Sequence, residues 1–250
     1  MKGEINNEWF AAWFDSPAYH ILYGNRDNDE AFNLIEHLDA ILPDNVNKVL
    51  DVGCGAGRHV IAWEKLGYEA SGFDLSPESI KIAKTKSTKS DFKVLDMRLL
   101  ESEEAWGSKF DIVSNLFTSF GYFSKEEDHL TVLKGFSHAL KPGGLLILDY
   151  LNDKYSKARL VPSEVIELGG YTFNIKRFLK DGCFQKSISF RSPEGKDYNF
   201  VEQVRAWSAD DLKSLLLGVG LQPEKIYGDY EFGRHSENSP RCIIVARKQD

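Results

Sequence analysis

Cysteine is scarce in this chain. Cys54, Cys183 and Cys242 are scattered and odd in number, which argues against a disulfide framework or a cysteine-built metal cluster and for a reducing compartment. Long hydrophobic runs are missing too: no stretch reaches the roughly 18 apolar residues that a helical membrane span requires. Positive charge is in short supply, with 31 Lys and Arg against 38 Asp and Glu and a net charge of −7. A nucleic-acid partner normally demands a basic face, so this balance argues against one. The opening residues MKGEINNEWF carry acidic side chains and no apolar h-region, so no signal peptide is expected. No group of His, Cys, Asp and Glu shows ligand spacing, so no metal is expected either. The setting that follows is cytoplasmic. What the chain does have is the composition of a folded protein, 42% hydrophobic, 12% aromatic and 28% charged, and its 250 residues suit one large α/β domain or one domain with an insertion.

The first 30 residues are rich in aromatics: Trp9, Phe10, Trp13, Phe14, Tyr19 and Tyr23. Either an amphipathic helix packs on the domain here, or a cap closes over a ligand. Helical spacing over 29–42 ends at Pro43. From there strands and helices alternate: a strand at 48–52, a helix over 58–67, a strand at 68–74, a helix after Ser76, strands at 92–96 and 110–116, a helix over 126–140, a turn LKPGG at 140–144, and a buried strand at 145–150. Ser76 is expected as an N-cap, with Pro77 at the first helical position and Ser79 two residues on. Alternation at this spacing predicts a parallel sheet with helices on both faces.

The pattern then breaks. Strand-like runs at 164–168, 171–179, 183–191 and 198–207, separated by GG, DG and PEGKD, predict an antiparallel meander. Ser208 caps a further helix, and strands follow at 223–230 and 241–248. The expected organisation is a helical cap over 1–42, an α/β core over 43–150, an inserted meander over 151–207, and the rest of the core over 208–250. The meander serves either as a lid or as an oligomerisation surface, the latter fitting a homodimer.

The stretch VLDVGCGAGRH (49–59) is a buried strand running into a turn where backbone approaches a ligand. A dinucleotide fingerprint requires Gly or Ala at its third position, so that helix and strand pack closely round a pyrophosphate. Arg58 stands there instead, and the glycines read GxGxG. Asp74 lies 21 positions after Gly53, close to the spacing of about 20 at which a carboxylate meets a ribose. Asp51 and Asp74 also have a plainer reading as helix-start or turn residues, and so does Asp96 as a strand-end turn. Cys54 reads as a small filler without a basic partner, and His59 as a helix-face residue without a chemical task.

Taken together, DVGCGAG (51–57), GFDLS (72–76), VLDM (94–97), FDIVSNLF (110–117) and LKPGG (140–144) resemble, in order and spacing, the class I S-adenosylmethionine-dependent methyltransferases. The resemblance implies a Rossmann-like seven-stranded, mostly parallel sheet with a reversed last strand. It implies S-adenosylmethionine as cofactor, held by Asp51, Gly53, Cys54, Gly55, Gly57, Asp74 with Leu75, Asp96, Met97 and Asn115. Asp51 would face the ammonium, Asp74 the ribose and Asp96 the adenine amino group. Met97 would offer its backbone N–H, and the end of the strand at Asn115 a carbonyl. The stretch NLFTSFGYF (115–123) is not the (D/N)PPY loop of enzymes acting on base or glutamine amino groups. The inserted meander is similar to that of the small-molecule sugar-amine N-methyltransferases, whose capping segment implies donor contacts for Tyr23 and Arg26. The implied acceptor is an amine or oxygen of a small metabolite. An oxygen acceptor needs a base, for which His20, Tyr122, Asp149 and Tyr150 are candidates, Asp149 because it ends the fifth strand. Strand-end turns give Asp149 a plainer reading. The rival functions are a nicotinamide-dependent oxidoreductase, a non-catalytic donor-binding module, and a tRNA or protein methyltransferase.

Overall fold

A computed structural model describes residues 9–24, 28–193 and 195–249. Strand β1 (Lys48–Val52) is buried from its second residue onward and pairs in parallel with β2 (Glu69–Asp74) on one side and β4 (Phe110–Asn115) on the other. Beyond β2 lies β3 (Asp91–Val94), and beyond β4 lies β5 (Leu140–Leu151). With β10 (Leu221–Tyr227) and β11 (Arg241–Lys248), the sheet runs β10-β11-β5-β4-β1-β2-β3. The last strand β11 is antiparallel to both neighbours. Sequence order reverses between β1 and β4, and a ligand crevice opens at such a switch beyond the carboxyl ends of the strands.

The period-2 alternation of the strands divides the core into two layers. Val49, Ile112, Ile147 and Ile243 pack under α3 (Asn28–Asp39), α4 (Arg58–Lys65) and α5 (Pro77–Lys86). Leu50, Val113, Leu146 and Ile244 face the opposite layer, which includes α6 (Glu126–Ala139) and α8 (Ala209–Leu217). Among the described residues no helix is long and apolar enough to cross a membrane.

The caps form as their sequences dictate. Ser76 Oγ accepts from Ser79 N at 3.1 Å with Pro77 opening the helix, and Ser208 forms a reciprocal capping box with Asp211. The LKPGG stretch differs from the expected turn because it lies inside β5. Phe110 opposes Leu140 while Ile112 opposes Leu145, so the extra residues bulge out of the ladder, with Gly143 at φ +73°. The first described segment is two short helices, α1 (Trp9–Phe14) and α2 (Pro17–Tyr23), and the third helix ends at Asp39, three residues short of the predicted Leu42. A short helix α7 (Asp153–Ala158) precedes the meander, whose strands β6 (Ser163–Leu168), β7 (Tyr171–Lys180), β8 (Cys183–Arg191) and β9 (Asp197–Arg205) pair in sequence order as a separate antiparallel sheet. Trp13 packs at a tilt against Phe200 of β9, with ring centroids 4.6 Å apart.

Candidate active site

A cavity of about 470 Å³ opens at the switch point. Its floor is the turn after β1. The N–H groups of Gly53 and Cys54 both donate to Phe73 O, at 2.9 and 3.0 Å, which ties the turn to β2. Gly53, Gly55 and Gly57 all take positive φ, but for different packing reasons. A Cβ on Gly53 would lie 2.9 Å from Ser119 Cβ, and one on Gly57 would press on Phe92 and Ala83 at 3.0–3.1 Å. A Cβ on Gly55 would meet nothing within 4 Å, because that residue faces the cavity.

Asp74 ends β2 on the cavity wall. One carboxylate oxygen accepts from Gly55 N at 2.8 Å, the other from Ser76 N at 2.9 Å. Burial pushes its carboxyl above the usual range, while these N–H bonds oppose the shift. Leu75 lines the cavity beside it. Asp51 lies just behind the wall, almost wholly buried. Ser114 Oγ donates to its Oδ1 at 2.8 Å, and Oδ2 has no hydrogen-bond partner among the described residues. Burial raises its pKa to about 7. His59 is buried too, its Nδ1 3.9 Å from Asp51 Oδ2, and so is not on an open helix face.

Asp96 and Met97 line the cavity at the end of β3. Asp96 fits the plainer reading as well: it caps a 3-10 helix by accepting from Arg98 N at 2.9 Å, and the Arg98 guanidinium grips both its oxygens. Asn115 is fully buried beneath the wall, its Nδ2 donating to Val52 O at 2.9 Å; the wall itself begins at Leu116. Cys54 lines the cavity, and burial holds its thiol well above the ordinary range, so it is no thiolate.

The N-terminal helices and the meander supply the remaining walls, among them Trp9, Phe14, His20, Tyr23 and, from β9, Glu202. Tyr23 donates its hydroxyl to Glu202 Oε1 at 2.7 Å. Arg26 lies outside the described residues. His20 lines the cavity with Nε2 buried and without a hydrogen-bond partner among the described residues. Tyr122 lines it as well, its hydroxyl donating to Thr118 O. Tyr150 is fully buried behind the wall and donates to Arg205 O at 2.6 Å.

The placement of Asp149 corrects the expectation that it points at an incoming acceptor. It is fully buried, and Arg241 Nε, Phe117 N and Tyr230 Oη all donate to its carboxylate, at 2.8, 2.8 and 3.0 Å. A carboxylate engaged in this way is a counter-ion and an anchor. Among the cavity-lining residues that went unremarked in the sequence are Glu202 and Arg241. Glu202 is one polar position in an alternating strand and Arg241 one of 31 cations, so neither carries a local signal.

The cavity fits the donor on two observations: the open space beside the Gly55 backbone, and, just behind the wall, a buried carboxylate oxygen of Asp51 that has no hydrogen-bond partner among the described residues and that an ammonium would satisfy. Residues 49–144 match the family model described as a methyltransferase domain. The chain carries an S-adenosylmethionine-dependent methyltransferase domain. This methyltransferase is 24% identical over 221 residues to the putative methyltransferase YqeM of Bacillus subtilis, an alignment covering 84% of this chain and 87% of that one. It is 33% identical over 122 residues to the ubiquinone biosynthesis O-methyltransferase of Xanthomonas axonopodis, covering 47% of this chain and about half (48%) of that protein. Its fold matches the sugar N-methyltransferase KedS8 from Streptoalloteichus with a TM-score of 0.72 at 18% identity, covering 100% of this chain and 96% of that one.

Proposed function

We propose that this methyltransferase transfers the donor's methyl group to an amine or oxygen of a small cytoplasmic metabolite. The observation that carries the reading is the cavity itself. It is walled by aromatic side chains of the N-terminal helices and by Glu202 and Val204 of β9, a shape that suits a small molecule. The kinship in part of the chain to an O-methyltransferase, and the likeness in fold to a sugar N-methyltransferase, support the same class.

When bound, the donor supplies a carbon already activated by a sulfonium, so the chain's task is to orient the reactants and exclude water. On this reading the Gly53–Gly57 turn lies against the donor, with Asp51 toward its ammonium and Asp74 toward its ribose. Leu75, Asp96 and Met97 stand round the adenine, and Tyr23 belongs to the cap. The carbonyl expected from Asn115 comes from the end of β4, where Leu116 is the first residue on the wall. Where the acceptor must lose a proton, His20 is the first candidate base, because it combines a place on the wall with a ring nitrogen lacking a partner among the described residues. Tyr122 Oη already donates to Thr118 O, which leaves it as an acceptor of a hydrogen bond.

The test is incubation with labelled donor and a fractionated metabolite extract, followed by mass spectrometry. A small methylated product is expected. Label found only in RNA or protein, or none with donor product bound, overturns this acceptor class.

A further inference from the structure

Just after β4, at the cavity wall, two consecutive residues hold backbone conformations that side chains disfavour. Phe117 has φ +60° and Thr118 φ +61°. The left-handed region is uncommon for any residue but glycine, and a β-branched residue such as threonine is an outlier there. Such strain persists only where the surroundings over-determine it.

Here one ion pair does so. Asp149 Oδ2 accepts from Phe117 N at 2.8 Å, and the Asp149 carbonyl accepts from Thr118 N at 3.1 Å. Arg241, reaching over from the reversed strand β11, donates Nε to Asp149 Oδ1 and Nη2 to Thr118 Oγ1, each at 2.8 Å. The Phe117 ring sits beside two guanidinium groups, Arg58 at 4.5 Å and Arg241 at 6.0 Å. Tyr230 closes the cluster from the other side, donating to Asp149 Oδ2 at 3.0 Å. Burial and the neighbouring carboxylate push its phenol up, so it stays a donor. The turn in turn fixes a further group: Thr118 O receives the Tyr122 hydroxyl. Phe117, Thr118, Tyr122 and Arg241 all line the cavity, whereas Asp149 stands behind it.

A buried ion pair and a strained turn are each costly to stability, and their meeting at one point of the wall calls for a return in function. We propose that Asp149 and Arg241 form a clamp that holds the Phe117–Thr118 turn in its left-handed form and thereby positions the Phe117 ring and the Tyr122 hydroxyl against the acceptor. Asp149 is on this account a positioning residue, acting through Arg241 and the turn. The proposal rests on the acceptor occupying this cavity, as argued above, but its structural half is testable without any acceptor.

The test is a cycle of Asp149→Asn, Thr118→Asn and the double variant, with Arg241→Lys as a milder probe. Asparagine tolerates the left-handed region and keeps an acceptor for Arg241. Asp149→Asn is expected to lower the melting temperature by about 3 °C or more, and Thr118→Asn in that background to restore a sizeable part of the loss. Additive effects would show that the carboxylate merely supports the core and would overturn the clamp. Calorimetry with S-adenosylhomocysteine should give an affinity within about threefold of wild type for Asp149→Asn and Arg241→Lys, because the glycine turn is untouched. Methyl transfer from labelled donor to the active metabolite fraction should fall about tenfold or more at saturating donor, the scale expected of a small misplacement. Wild-type transfer by a folded Asp149→Asn protein overturns the positioning role. A wild type that methylates no fraction overturns the acceptor reading instead, while the thermal cycle still decides the clamp.

Discussion

Trp13 and Glu202 meet across 189 positions of sequence, the indole Nε1 of α1 donating to Oε1 of β9 at 2.6 Å. Tyr23 donates to the same oxygen, and Lys186 of β8 lies 3.6 Å from the other. One carboxylate thus joins both N-terminal helices to the inserted sheet over the cavity. Without it, Trp13 and Tyr23 would lose this acceptor and the largely buried Lys186 ammonium its counter-ion.

Glu202→Ala is therefore expected to destabilise the protein by about 3 kcal/mol and to weaken S-adenosylhomocysteine binding. Glu202→Gln, which retains an acceptor for Trp13 and Tyr23, should cost less. Chemical denaturation and calorimetry check both. A Glu202→Ala protein with wild-type stability and affinity would show that the joint is incidental. The related truncation of residues 1–26 should also weaken donor-product binding if the aromatic helices act as a cover.

The glycines of the turn should separate under substitution. Gly57→Ala pushes a methyl into Phe92 and Ala83 and should cost about 1–3 kcal/mol of stability through overpacking, beyond its backbone strain. Gly55→Ala meets no neighbour, so it should cost only the strain of positive φ, about 1–2 kcal/mol. It would instead place its methyl where the ligand lies and lower donor-product affinity more than Gly57→Ala does. Equal losses of affinity would mean that Gly55 does not touch the ligand.

Asp74→Ala removes an acceptor shared by Gly55 N, Ser76 N and, on the proposed reading, the ribose hydroxyls. Lost charge-assisted bonds to the ribose should weaken S-adenosylhomocysteine binding by about 1.5–3 kcal/mol. Unchanged affinity in a calorimetric titration would reject the ribose assignment.

Asp51 gives a pH signature whose sign is fixed. Burial raises its pKa in the folded protein from 3.8 to about 7, so between those values the native state holds a proton that the unfolded state has released. Its contribution to stability is therefore largest at acid pH and is lost as pH rises from about 4 to about 7. An ammonium placed beside it favours the charged form, so binding of S-adenosylhomocysteine near pH 6 should release up to one proton, and the release should shrink as pH rises through about 7. The readout is the dependence of binding enthalpy on the ionisation heat of the buffer. Asp51→Asn should abolish that dependence, and a wild type lacking it would separate Asp51 from the ammonium.

The sequence by itself determined the order of the strands and of the helices between them in the core, because that information is local. The alternation of Val49, Leu50 and Val52, the left-handed glycines that follow, the Ser76 and Ser208 caps and the period-2 runs of the meander are each written within a few residues. It therefore placed the glycine turn and Asp74 at strand ends facing the switch point. Only the tertiary structure decided which strand-end carboxylates reach the cavity. Asp96 does, though gripped by Arg98; Asp149 does not, because Arg241, Phe117 and Tyr230 converge on it from three other parts of the chain. The LKPGG stretch looks like a turn because its residues bend the backbone anywhere, yet pairing with Phe110 and Ile112 on either side of it makes it a bulge within β5. Glu202 and Arg241 were out of reach for the same reason: a side chain's partners are set by strand neighbours far away in sequence, and no local pattern encodes them.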